Sequence, residues 1–188
     1  MNIRSNVSSL LQTNANEQST ADRYPNESTG ICSTEIPRVT IMLAEMEHLA
    51  AAKLLSDQHK RELGFINRAI LQRAIETKSL LIAVRNSGDE QTERELLGLA
   101  HFYVRRDHII TLYSIVVAQV YQRTGLGRQL FGSLIHQACI QGKKEICLKC
   151  PEELPANVFY ERLGLQKVAS ESGKLRTLNV WKYTLSHL

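Results

Sequence analysis

Residues 122–128, Gln-Arg-Thr-Gly-Leu-Gly-Arg, have the types and spacing that hold a phosphate. They lie between an apolar, β-branched run at 112–120 and the start of an amphipathic helix. A strand thus feeds a glycine-bearing turn, and the turn opens a helix. The first N–H groups of a helix have no intrahelical acceptor, and the helix dipole gives them partial positive charge. Gly125 and Gly127 lack a Cβ, so an anion can approach the backbone closely. Arg123 and Arg128 add full charges. The arrangement suits a pyrophosphate, although an ordinary strand–helix connection with incidental glycines has the same outline. No Gly-Lys-Ser/Thr is present, which argues against a Walker A loop. Leu130 stands where a dinucleotide fingerprint needs its third glycine.

A second group lies downstream, Asn157-Val158-Phe159-Tyr160-Glu161-Arg162-Leu163-Gly164-Leu165. Asn157 and Tyr160 are three apart and share a helix face. A tyrosine with its usual pKa of about 10 is protonated at neutral pH, as a proton donor must be. The two groups, in this order and about one strand apart, resemble the signatures of the GCN5-related N-acetyltransferases (GNAT). Those signatures are Gln/Arg-x-x-Gly-x-Gly/Ala, and an Asn-x-x-Tyr helix followed by Gly-Phe and a strand. The resemblance covers residues 37–185.

The resemblance implies an α/β fold with a central mixed, mostly antiparallel sheet flanked by helices. It implies acetyl-CoA as co-substrate and a primary amine as acceptor, attacking directly through a tetrahedral intermediate. Gln122, Arg123, Thr124, Gly125, Leu126, Gly127 and Arg128 would hold the pyrophosphate. Pantetheine would run along Ile115, Val116 and Val117 of a central strand, 109–117, splayed from its parallel neighbour at 145–150. The freed backbone groups of Ile115 and Val117 would pair with the pantetheine amides. The Val117 N–H would face the thioester oxygen, and losing such an oxyanion donor costs about 2.7–4 kcal/mol of barrier. Asn157 would hydrogen-bond the pantetheine arm, and Tyr160 would protonate the leaving sulfur.

Many family members carry a glutamate on the central strand, and residues 109–117 hold no carboxylate. Polar side chains there are Thr111, Tyr113 and Ser114; Tyr103, His108 and Glu152 lie nearby. His101 has the unperturbed pKa, near 6.5, that suits a base, and equally suits a solvated strand face. A non-catalytic acyl-CoA-binding or regulatory module on the same fold is the alternative that the missing carboxylate favours. A partner-binding protein on the inherited fold is a third class.

These groups need elements to position them. A strand at 39–43 precedes a helix at 45–56, with Met46, Leu49, Ala50, Lys53 and Leu54 at helical spacing. A connector at 60–65 leads to a helix at 68–77 that Asn67 can cap, with Ile70, Leu71, Ala74 and Ile75 as its stripe. Strands follow at 80–85 and 97–105, joined by a polar loop with a Gly88-Asp89 hairpin signal. Strand 109–117 is apolar enough to be buried on both faces. Then come helix 125–141, strand 145–150, helix 156–163, strand 165–169 and strand 175–185.

The 188 residues suit one domain, 37–188, behind a polar segment, 1–36, too poor in apolar side chains to offset its ordering entropy. A net charge of +4 suits an anionic ligand, and no Lys/Arg run marks a nucleic-acid partner. No apolar run approaches the roughly 20 residues of a membrane helix. Cys32, Cys139, Cys147 and Cys150 lack framework spacing, which fits reduced thiols in a cytoplasmic protein. Cys147 and Cys150 point to opposite faces of a strand, so a shared metal or disulfide is not expected. His48, His59, His136 and His187 show no metal spacing. Family members often pair, so a homodimer is compatible.

Overall fold

The computed structural model describes residues 38–86, 95–173 and 175–185. The segment 1–36, the Gly88-Asp89 turn and His187 lie outside the described residues. The chain runs β1 (Arg38–Leu43), a 3-10 turn (Met46–His48), α1 (Leu49–Gln58), α2 (Lys60–Leu63), α3 (Arg68–Glu76), β2 (Leu80–Asn86), β3 (Glu95–Val104) and β4 (Ile109–Val117). A 3-10 turn (Gln119–Tyr121), α4 (Leu126–Ile140), β5 (Glu145–Pro151), α5 (Ala156–Arg162), β6 (Gln166–Ser172) and β7 (Thr177–Thr184) follow.

The strands make one seven-stranded sheet in the order β1-β2-β3-β4-β5-β7-β6. Every neighbouring pair is antiparallel except β4 with β5. A parallel pair needs a crossover, and α4 provides it. The expected mixed, mostly antiparallel α/β sheet flanked by helices is therefore the observed fold.

Two apolar layers fix the helices. Leu49, Ala52 and Leu55 of α1 and Leu71, Ala74 and Ile75 of α3 pack on Leu80, Ile82, Val84, Leu99 and Val116. On the other face Leu126, Leu130, Phe131, Leu134 and Ala138 of α4 pack on Leu81, Ala83, Ala100, Phe102, Ile110 and Ile146. Alternate residues of β2 enter opposite layers, the period of a strand buried on both sides. The Asn67 side chain accepts from the Ile70 N–H at 2.8 Å, so α3 has the expected cap.

The expected stripe of α1 is out of phase. Met46, Ala50 and Leu54 are exposed, Leu54 at 62%, while Leu49, Ala52, Leu55 and Ser56 are buried. The 3-10 turn at Met46–His48 precedes the helix and shifts its rotation. Ser56 tolerates burial because its hydroxyl donates to the Ala52 carbonyl at 2.8 Å. Residues 60–63 of the expected connector form a single helical turn, α2.

The expectation that β4 is buried on both faces is also corrected. Tyr113 is 74% exposed, because the strand carries a bulge there. His101 pairs with Ser114 and Phe102 with Leu112, leaving Tyr113 unmatched. The extra residue inverts the alternation. Ile110 and Leu112 face α4, whereas beyond the bulge Ile115 and Val117 face that side and Val116 enters the α1/α3 layer.

Candidate active site

The parallel pairing of β4 with β5 is short. It joins Ile109 to Glu145, Ile110 to Ile146 and Thr111 to Cys147, and no further pair follows. Past that point β4 stays with β3, up to the Gly98–Val117 pair, and β5 stays with β7, up to Pro151–Leu178. The two strands part, and each offers a backbone edge to the gap.

The register says which groups line it. The Ala118 N–H donates to the Leu97 carbonyl at 2.8 Å. Backbone groups alternate along a strand, so Val116 also turns toward β3, and Ile115 and Val117 turn toward the gap. A Cβ on Gly98 would lie 2.9 Å from the Val116 oxygen, which places that carbonyl over β3. The Gln122 side-chain amide donates to the Val117 carbonyl at 3.2 Å and leaves its N–H free for the gap. Ile115 and Val117 thus turn their backbone groups to the gap. Val116 does not: its backbone serves β3 and its side chain is buried under α1 and α3.

At the end of β4 the glycine-bearing turn takes its shape from two left-handed residues, Arg123 at φ 65° and Gly125 at φ 89°. The Gln129 N–H, bonded to the Gly125 carbonyl at 3.1 Å, is the first of α4 to have a helical acceptor. Among the described residues, the N–H groups of Arg123, Thr124, Gly125, Leu126, Gly127 and Arg128 have no backbone acceptor. The Thr124 hydroxyl donates to the Tyr121 carbonyl at 2.7 Å and tightens the turn. The Tyr121 hydroxyl contacts the Arg85 guanidinium and donates to Glu95 at 3.1 and 3.2 Å. The turn is therefore braced from β2 and β3 before any ligand arrives, and its run of N–H groups fits a pyrophosphate.

Two residues of that turn do other work than expected. The Arg128 guanidinium donates to the Arg162 carbonyl at 3.1 Å, at the C-terminus of α5, where the helix dipole favours a cation. Its backbone N–H, not its side chain, is what the turn offers. Gly127 is closely packed, since an added Cβ would lie 3.0 Å from the Phe159 ring of α5, which would have to give. Gly125, by contrast, has nothing within 4 Å of an added Cβ and is required by its φ. The Leu126 side chain is core.

On α5, Tyr160 is 8% exposed and stands in the α4 layer with Cys150 and Trp181. Burial pushes its phenol above the usual tyrosine value, and the neighbouring Cys150 thiol adds to the shift. It stays protonated at neutral pH, and its hydroxyl has no hydrogen-bond partner among the described residues. Burial also pushes the Cys150 thiol up, to about 11, so it is no nucleophile.

Asn157 departs from expectation. Its Nδ2 donates to the carbonyls of Pro151 at 2.8 Å, Glu152 at 3.2 Å and Leu154 at 2.8 Å. Its Oδ1 accepts from Asn179 at 3.2 Å and Trp181 at 2.9 Å. A side chain with both donors and both lone pairs used has none left for a pantetheine amide.

His101 lies on the α1/α3 face of β3, its ring 5.5 Å from that of Tyr113. Burial lowers its pKa below 6.5, so the ring is neutral at pH 7. It pairs with Ser114, three residues before Val117 and so about 10 Å along the strand. The structure thus brings together Val117, Ile115 and the turn at one end of the gap, and sets His101 apart. No short motif links Tyr121, Arg85 and Glu95, which meet only when β2, β3 and the turn are adjacent.

Comparison with known proteins agrees with this geometry. A family model described as "Acetyltransferase (GNAT) domain" matches residues 51–183. No curated protein sequence matches. The fold is similar to that of the ribosomal-protein-S18-alanine N-acetyltransferase from Escherichia coli, at 21% identity and a TM-score of 0.62, over 80% of this chain and 96% of that one. It is similar to yncA from Salmonella typhimurium, whose structure holds its cofactor acetyl-CoA, at 19% identity and 0.62, over 80% and 96%. It is also similar to N-acetylglutamate synthase from Neisseria gonorrhoeae, complexed with coenzyme A and N-acetyl-glutamate, at 17% and 0.61, over 81% of this chain and 36% of that one. With a parted parallel pair, a braced glycine turn and a family match over most of its length, the chain belongs to the acetyltransferase (GNAT) family.

Proposed function

We propose that the protein is an acetyl-CoA-dependent N-acetyltransferase that moves an acetyl group to a primary amine, of a peptide or of a small molecule. The observation that carries this reading is the parting of β4 from β5 beyond Thr111 and Cys147, beside the run of N–H groups at residues 123–128. The structures of yncA with acetyl-CoA and of N-acetylglutamate synthase with coenzyme A support the choice of cofactor.

Each residue then has a task. The backbone N–H groups of Arg123 to Arg128 receive the pyrophosphate, and the exposed Arg123 guanidinium supplies a full positive charge. The Ile115 and Val117 backbone groups hold the pantetheine arm in extended form, as a strand would hold another strand. The Val117 N–H stabilises charge on the thioester oxygen as the amine attacks. Tyr160, protonated through burial, gives its proton to the departing sulfur. The amine proton leaves through water toward His101, whose neutral ring can take it.

The test is an assay of CoA release against peptides, small neutral amines and aminoglycosides. Turnover with one class, lowered on the order of a hundredfold by Tyr160→Phe while CoA still binds, supports the reading. A non-catalytic acyl-CoA-binding module is the second reading, favoured by the lack of a carboxylate on β4. Tight CoA binding with no turnover across the panel would establish it.

A further inference from the structure

Asn157, expected from the sequence to meet the cofactor, spends its polar atoms inside the protein. The indole N–H of Trp181 can only donate, so the atom 2.9 Å from it is the Asn157 oxygen. The carbonyls of Pro151, Glu152 and Leu154 can only accept, so the amide nitrogen faces them. The amide orientation is therefore fixed by chemistry. Asn179, 5% exposed, continues the network by donating to Asn157 and accepting from the Ser170 hydroxyl at 3.2 Å.

The network ties four pieces together: the end of β5 at Pro151, the start of α5, β7 through Asn179 and Trp181, and β6 through Ser170. Tyr160 lies one turn along α5 from Asn157, and its ring centroid is 6.4 Å from that of Trp181. Trp181 thus holds Asn157 with its N–H and packs against Tyr160 with its ring. The network sets both the angle at which α5 leaves β5 and the wall against which the phenol rests.

We propose that Asn157 and Trp181 are positioning residues that place the Tyr160 hydroxyl, and that Asn157 is not a cofactor contact. This rests on the reading of Tyr160 as proton donor to the leaving sulfur. A small misplacement of a reacting group costs rate far more than it costs binding. The network therefore acts on kcat and leaves the affinity for CoA alone.

The experiment measures kcat, KM for acetyl-CoA and, by calorimetry, Kd for CoA. The variants are Asn157→Ala and Trp181→Phe, each also combined with Tyr160→Phe. Trp181→Phe keeps an aromatic wall and removes one donor, so it carries the test should Asn157→Ala fail to fold. The expected result is a fall in kcat on the order of tenfold for either variant, with Kd for CoA changed by less than about twofold. On the Tyr160→Phe background neither should lower kcat further, because the group they place is gone. A Kd for CoA raised about tenfold by Asn157→Ala, with kcat kept, would overturn the inference and return Asn157 to the cofactor. So would a loss of kcat that persists in full on the Tyr160→Phe background. Should Tyr160→Phe alone leave kcat unchanged, the proton-donor reading falls and this inference with it; the two failures are thereby distinguished.

Discussion

Thr111 on β4 pairs with Cys147 on β5, and these are the last residues at which the two strands meet. Three pairs join strands of 9 and 7 residues, and beyond them each strand has contacts that run away from the other. The bulge at Tyr113 twists β4 toward β3 just after Thr111, and the hydrogen bonds of Asn157 hold the end of β5 toward α5 and β7. On both sides of the parting, contacts thus draw the strands away from each other.

Gly127 tests the packing of the two helices that flank the opening. A Cβ there meets the Phe159 ring at 3.0 Å, so in Gly127→Ala that ring must give way within the packing of α5 on α4. Overpacking of this kind costs about 1–3 kcal/mol. Thermal denaturation should show a lower Tm, and the second change Phe159→Leu should restore part of the loss. A Tm unaltered by Gly127→Ala would contradict the contact.

The brace behind the turn is open to a milder change. Tyr121→Phe keeps the ring, which stacks on Arg85 with 5.0 Å between guanidinium and centroid, and removes the hydroxyl that contacts both Arg85 and Glu95, themselves paired at 3.5 Å. The turn holds Arg123 in a left-handed conformation that costs roughly 1–2 kcal/mol, so a looser brace lets it relax. KM for acetyl-CoA should rise several-fold with kcat nearly kept, read from initial rates at varied acetyl-CoA. A fall in kcat alone would contradict this role.

His101 makes a prediction about pH. Burial lowers its pKa in the folded protein, so between that value and 6.5 the unfolded chain carries a proton that the folded one does not. The stability it contributes is present above pH 6.5 and is lost as pH falls through the folded value. Activity should follow: kcat/KM should show an acid limb below 6.5, and His101→Gln should remove that limb along with much of the rate. An acid limb unchanged in His101→Gln would exclude His101 as the proton acceptor.

Much of this was legible from residue order. The turn at 122–128 announced itself because a strand, two glycines and a helix start are all local, and Asn67 announced the cap of α3 for the same reason. What escaped was set by distant partners. The phase of α1 depends on a 3-10 turn that no periodicity reveals. The faces of β4 depend on a bulge defined by pairing with β3. Gly127 reads as kept small for an anion alone until Phe159 is seen against it. Asn157 reads as a ligand for pantetheine until three carbonyls and an indole are found around it.

Calorimetric titration with CoA, on the wild type and on Gly125→Val, tests the central claim most directly. Gly125 sits at φ 89° with open space around it, so a valine strains the turn without touching the core. The account predicts one CoA per chain with a Kd in the micromolar range typical of enzyme ligands, on the order of 1 μM to 1 mM, weakened at least about tenfold by Gly125→Val. No heat at millimolar CoA, or a Kd the same in both proteins, would contradict it.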